Sequence, residues 1–221
     1  MVSLGGISRS RPERYWVPLI SMYSGMRLNE ICQLYVEDMV EIEGIWCFDV
    51  NEDKDKRLKN LASKRTIPVH PKLIEGGFIE YVEQLKGKRT VRLWERLSAG
   101  RDGYSHLFGK WYQRHNRQHI TKDKKKCFHS FRHTVGDTLK QVGVAEGVIA
   151  EILGHSNDSI TTGRYGKRFR PQVLLDALVK LDYWLLLILC ILIAVGYLTF
   201  KGDIEDVEHT GNGNGNCCSQ C

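Results

Sequence analysis

"MVEIEGIWCFDV", residues 39–50, decides the fold class. β-Branched and aromatic residues stand on both sides of Glu43 and Gly44, and a two-residue link between such runs predicts a β-hairpin. Further on, "RTIPVHP" (65–71) supplies a third strand, and Pro68 puts it at the sheet edge because proline has no N–H to give a ladder. Outward from these strands the pattern turns helical. "PERYWVPLISMYSG" (12–25) sets Trp16, Leu19, Ile20 and Tyr23 at helical spacing and ends at Gly25. "RLNEICQL" (27–34) predicts a second short helix with Leu28, Ile31 and Leu34 on its inner side. "PKLIEGGFIEYVEQLK" (71–86) has helical spacing interrupted by Gly76 and Gly77, and further helices are predicted over 108–119, 130–142, 145–153 and 171–181. "GKRTVRLWERLSAGRDGYSHLFG" (87–109) shows no usable period. "NEDKDKRLKNLASK" (51–64) is highly charged and is expected to be mobile. The fold class is α+β, a mostly helical domain with a small three-stranded antiparallel sheet, followed by an apolar C-terminal helix.

Charge divides the chain unevenly. The net charge is +6 over 221 residues, but the tail from Tyr183 sets Lys201 against Asp203, Glu205, Asp206 and Glu208 and carries −3, which leaves +9 on the body. A basic body suits nucleic acid or an anionic membrane surface. Residues 1–11 are rich in Gly, Ser and Arg and read as a flexible N-terminus, with no apolar core of a signal peptide. The globular domain runs over 12–182, an apolar helix over 183–201, and a disordered acidic, Gly/Asn-rich and Cys-containing tail over 202–221.

"WLLLILCILIAVGYLTF" (184–200) has no charge and spans roughly 25 Å as a helix, the lower edge of what crosses a bilayer. Two readings stay open: a membrane span that keeps the basic body cytoplasmic, or a helix packed on the body or on a neighbouring subunit. Cys32, Cys47 and Cys127 are far apart, as expected of buried thiols in a reducing cytoplasm. Cys190, Cys217, Cys218 and Cys221 lie in the tail, where a lone C-x-x-C lacks the second pair of a zinc site.

The chemistry gathers elsewhere. In "HSFRHTVGDTL" (129–139), His129, Arg132 and His133 project together from the first turn of a predicted helix, where the dipole also favours an anion. "GMRLNEICQL" offers Arg27 with Glu30, "LKNLASKRTIPVH" offers Lys59, and "LGHSNDSITTGRYGK" offers His155 with Tyr165 ten positions on. Two arginines suit the charge that spreads over phosphate oxygens in a transition state, because a guanidinium is always charged and presents paired donors.

In order and spacing these stretches resemble the catalytic domain of the tyrosine recombinases, the phage integrase family, over about residues 12–182. The resemblance implies site-specific DNA recombination, the integration or excision of a mobile element, by strand cleavage and rejoining through a 3′-phosphotyrosine intermediate with no metal or other cofactor. It gives Tyr165 the role of nucleophile, Arg27 and Arg132 that of phosphate clamp, His129 that of base or hydrogen-bond partner, and His155 that of a phosphate ligand. Lys59 matches the general acid, with Lys56 and Lys64 as rivals in a loop of uncertain register. Glu30 matches the supporting carboxylate. Lys64, Arg65, Lys124, Lys125, Lys126 and His133 are the candidate DNA contacts.

The implied partners are double-stranded DNA and, as the family suggests, further copies of the chain in a tetramer on DNA. Family members also carry a separate helical domain ahead of the catalytic one, and Arg27 stands too near Met1 to leave room for it. The competing reading is therefore a remnant that binds DNA without turnover, with or without a membrane anchor. Single residues have plainer readings too. Tyr165 would serve as a hydroxyl at a packed helix junction, "KDKKK" (122–126) as a solvated loop, and the pairs His115/His119 and His129/His133 have metal-ligand spacing without a third ligand.

Overall fold

A computed structural model describes residues 11–60, 63–101, 103–155 and 168–183. Tyr165, the apolar run 184–200, the tail cysteines and residues 1–10 lie outside the described residues. Among the described residues no helix is long and apolar enough to cross a membrane.

The predicted hairpin forms. Strand β1 (Met39–Ile42) pairs antiparallel with β2 (Ile45–Val50), Ile42 opposite Ile45. The connecting Glu43 and Gly44 both have positive φ, 53° and 76°, as the tight turn that matches strand twist requires. Strand β3 (Arg65–Pro68) pairs with β2 in the sheet order β1-β2-β3, so Pro68 does sit on an edge, opposite Cys47. The fold is α+β, as its sequence pattern indicates.

Helices enclose this sheet. The first, α1 (Glu13–Ser24), buries Trp16, Val17, Ile20 and Tyr23, leaves Leu19 half-buried, and ends at Gly25 in the left-handed region at φ 67°. A very short α2 (Leu28–Cys32) turns Leu28, Ile31 and Leu34 into the core. The Gly76-Gly77 interruption separates α3 (Pro71–Glu75) from α4 (Phe78–Gly87). Then follow α5 (Ser105–His115), which runs on as a π-helical turn over Asn116–Ile120, α6 (Ser130–Gln141), α7 (Glu146–Leu153) and α8 (Pro171–Leu178). α1 packs on α2 and α6, while α7 and α8 lie against β3. The core of α1, α6 and α7 therefore meets the sheet edge where the site forms.

Residues 88–104, which lack periodicity, are held by tertiary contacts. Leu34 and Val36 bond the backbone at Leu93 and Val91, and the Trp94 indole donates to Ile31 O at 2.7 Å. Within the charged stretch 51–60 several charges are paired internally. Lys56 forms a buried ion pair with Asp38, and both carboxylate oxygens of Asp55 accept from Arg92 Nη2 at 2.6 and 2.6 Å. Cys32 and Cys47 are buried free thiols and burial pushes both up, Cys47 to about 11, whereas Cys127 is only half-buried. Thiols so shifted are poor nucleophiles.

Candidate active site

The end of α7 organises the site. Its last carbonyls have no partner within the helix and carry the negative end of its dipole. Three arginines from three other elements take three consecutive ones. Arg65 Nε donates to Ile152 O at 2.8 Å, Arg132 Nη2 donates to Leu153 O, and Arg27 Nη2 donates to Gly154 O at 3.3 Å. Arg132 also donates to Gly25 O at 2.9 Å, so one guanidinium joins the ends of α1 and α7.

Glycines permit this approach at both helix ends. Gly154 has φ 64°, and a Cβ there would lie 2.7 Å from Arg65 Nη1. Gly25 at φ 67° would put a Cβ 2.6 Å from Leu153 Cδ2.

Glu30 is the carboxylate among these cations. It is 4% exposed and accepts from Arg27 N and Nη1 at 2.9 and 2.7 Å and from Arg65 Nη1 and Nη2 at 3.2 and 3.0 Å. The bond to Arg27 N is half of a capping box at the start of α2. Burial alone would raise its pKa, but Arg65 and then Arg27 outweigh that and hold it lowered. Arg27 and Arg65 thus share one carboxylate, while Arg132 bonds helix-end carbonyls and meets Glu30 only through its charge. Ser63, fully buried, accepts from Arg27 Nη1 at 3.0 Å.

The histidines report the positive field. His129 stands at the N-cap of α6, its ring 4.7 Å from that of His133. Its pKa is pushed down to about 4 by burial first, then by His133, Arg132, Arg27 and Lys59. His155, exposed just past α7, is lowered by burial and then by Arg132, Arg27, Arg65 and His133. Arg132 itself is lowered, to about 9, by burial, Arg27 and Arg65, and so stays charged at neutral pH. At pH 7 His129 is neutral, and both imidazoles are weaker bases than an ordinary histidine. Burial and the surrounding positive charges both disfavour the protonated imidazoles.

Arg27, Glu30, His129, Arg132, His133 and His155 are brought near one another from three separate stretches of chain, and Lys59, from a fourth, is near enough for its charge to act on His129. Arg65 is a correction. Expected to touch DNA, it is 2% exposed and spends its donors on Glu30, Ile152 O and Ser63 O, because β3 turns it inward beneath α7. Lys56 is removed from the rivals of Lys59 by its burial against Asp38, whereas Lys59 and Lys64 are both exposed. Lys124, Lys125 and Lys126 are exposed on a loop whose carbonyls are tied by Arg117 and Asn116, and they are not among the strongest charges acting on the cluster. Among the described residues no group of three His, Cys, Asp or Glu side chains is placed to hold a metal.

Sequence reading missed Ser63, Gly154 and the inward role of Arg65. Only Gly154 left a signal, a glycine directly after an apolar helix pattern.

The fold and the site define a class, a mostly helical domain with a small antiparallel sheet in which three arginines, a buried carboxylate and histidines gather at the end of α7. The chain belongs to the phage integrase family, the tyrosine recombinases, whose model matches residues 13–170. It is similar to a solved Tn1549 transposon integrase in complex with transposon right end DNA, with 19% identity and a TM-score of 0.45 over 72% of this chain. The chain spans 56% of that one. No curated protein matches it significantly.

Proposed function

We propose that this protein cuts and rejoins DNA at a specific site, as in integration or excision of a mobile element, through a 3′-phosphotyrosine on Tyr165. The observation that carries the reading is the convergence of Arg27 and Arg132 on adjacent carbonyls of α7, which fixes two guanidinium groups beside each other before any ligand arrives. Such preorganised donors matter most where charge grows in the transition state, and losing one typically costs about 100- to 1,000-fold in rate.

The Tyr165 phenol oxygen attacks phosphorus, and its proton passes to His129, which is neutral at pH 7. The bond from phosphorus to the 5′ oxygen breaks, and Lys59 delivers a proton to that oxygen. Arg27, Arg132 and His155 hold the non-bridging oxygens throughout. Glu30 orients Arg27 and gives up no proton. Reversal, with a different 5′ hydroxyl, rejoins the strand. Because the phosphodiester energy is kept in the phosphotyrosine, no external energy source is needed.

The same reading has the protein working on double-stranded DNA as a tetramer in the cytoplasm, with 184–200 as a further site of membrane or subunit attachment. Carbonate extraction of the chain with and without 184–221 separates those two roles of the tail.

A nicked suicide substrate carrying the end of the neighbouring genomic element tests the chemistry. The expected result is a covalent protein–DNA adduct formed in EDTA and absent in Tyr165→Phe. Salt-sensitive DNA retention with no adduct from the intact chain overturns catalysis and selects the binding-only remnant.

A further inference from the structure

Lys59 is exposed, yet the chain on either side of it is fastened to the two ends of the same short helix. At its C-terminal end, the Gln33 side chain closes on Arg57 with two bonds. Arg57 N donates to Gln33 Oε1 at 3.0 Å, and Gln33 Nε2 donates to Arg57 O at 3.1 Å. Asn29 Nδ2 donates to the same Oε1 at 3.0 Å, which sets the amide the right way round. At the N-terminal end, Arg27 Nη1 donates to Ser63 Oγ, and Ser63 donates from N and Oγ to Asn60 Oδ1 at 3.0 and 2.7 Å. Lys59 is thus bracketed two residues before and one residue after.

A third brace stands behind the first. Arg92 Nη1 donates to Gln33 O at 3.1 Å while its Nη2 holds Asp55, and the guanidinium stacks over Tyr35 and Tyr104 at 4.1 and 3.9 Å. Gln33 itself is 2% exposed, so it acts on Lys59 only through the loop.

The geometry points to Gln33 as a positioning residue for the proton donor, its amide clasp on Arg57 acting with the Asn60–Ser63–Arg27 chain to hold Lys59 beside the departing 5′ oxygen. This role rests on the reaction proposed above. A lysine on a four-carbon stem is a poor acid if its backbone also wanders, since proton transfer needs hydrogen-bond distance at the moment the bond breaks. The clasp explains how a charged, exposed stretch serves that purpose.

Sulfur in place of the bridging 5′ oxygen separates this role from a merely structural one, because a thiolate departs without a proton. Single-turnover cleavage by the full chain is measured on matched oxygen and 5′-sulfur substrates. Gln33→Leu and the exposed-site variant Asn60→Ala should each lose about 10- to 100-fold on oxygen and regain nearly wild-type rates on sulfur. Lys59→Ala should show the same pattern more strongly, and Arg132→Ala should be slow on both. Equal losses on the two substrates, or no loss in either positioning variant, overturn the inference while leaving the reaction standing. Failure of the wild-type chain to form an adduct on either substrate overturns the reaction and this role together.

Discussion

Replacing Glu30 with Gln asks how firmly the arginine cluster is fastened. Its two oxygens meet four N–H donors, Arg27 Nη1 and Arg65 Nη1 on Oε1, Arg27 N and Arg65 Nη2 on Oε2. An amide keeps only one of those oxygens. Whichever way it turns, its NH₂ faces two donors, and two guanidinium groups lose the charge between them. Breaking a buried pair by neutralising one partner costs about 3–5 kcal/mol. The Arg27 side chain is 16% exposed and can turn partly to water, which favours the lower end, about 3 kcal/mol. That is a large part of the roughly 5–15 kcal/mol that holds a domain together. Urea unfolding at pH 7 reads the loss directly. Because Glu30 is ionised well below neutrality and exchanges no proton in the reaction, the pH profile of cleavage by the folded variant should keep its shape while its rate falls. A loss under about 1 kcal/mol would refute the claim that this carboxylate fastens the site.

Gly154→Ala combines a left-handed backbone with a Cβ 2.7 Å from Arg65 Nη1, so strain and overpacking should together cost about 2–4 kcal/mol in urea unfolding and loosen Arg27 as well. Lys56→Met and Lys59→Ala should separate stability from chemistry. The first, by stranding Asp38, should destabilise by about 3 kcal/mol with little effect on cleavage by folded protein, and the second should leave urea unfolding unchanged while slowing cleavage about 100-fold or more. Acid should weaken the fold before its carboxylates protonate. His70, 4% exposed and lowered to about 4 mainly by burial, and His129, also lowered to about 4, stay neutral in the folded chain while an ordinary unfolded histidine gains a proton near 6.5. The unfolded state then binds more protons between those values, so stability falls as pH drops through about 6.5 towards 4, with His70 contributing up to about 3 kcal/mol. Unfolding at pH 7 and about pH 5 checks it, and His70→Phe should flatten the dependence.

What was legible in the sequence was whatever has a short period or a local turn. The Glu43-Gly44 hairpin, the edge position of Pro68, the break at Gly76-Gly77 and the inward face of α2 all follow from neighbours within a few residues. The cationic residues were legible as types and as an ordered set. Their partners were not, since Arg132 meets Gly25 O and Arg27 meets Gly154 O across 107 and 127 positions of chain. Arg65 was misplaced for the same reason. On a strand, one position decides whether a charge faces solvent or core, and the carbonyls that receive it belong to α7. The charges of 51–60 read as free in the sequence, and only tertiary contact shows three of them matched with Glu37, Asp38 and Arg92 and the backbone at Arg57 held by Gln33. Segment 88–104 gave no signal because its order comes from pairing with residues 34–36.

The claim beneath all of this is that the paired guanidinium groups act on the phosphate when its charge is changing, rather than merely holding DNA. The direct measurement compares Arg132→Ala with wild type for single-turnover cleavage and for DNA affinity at one salt concentration. Arg132→Ala should lose about 100-fold or more in cleavage beyond any loss of binding. Equal losses in the two quantities would contradict it.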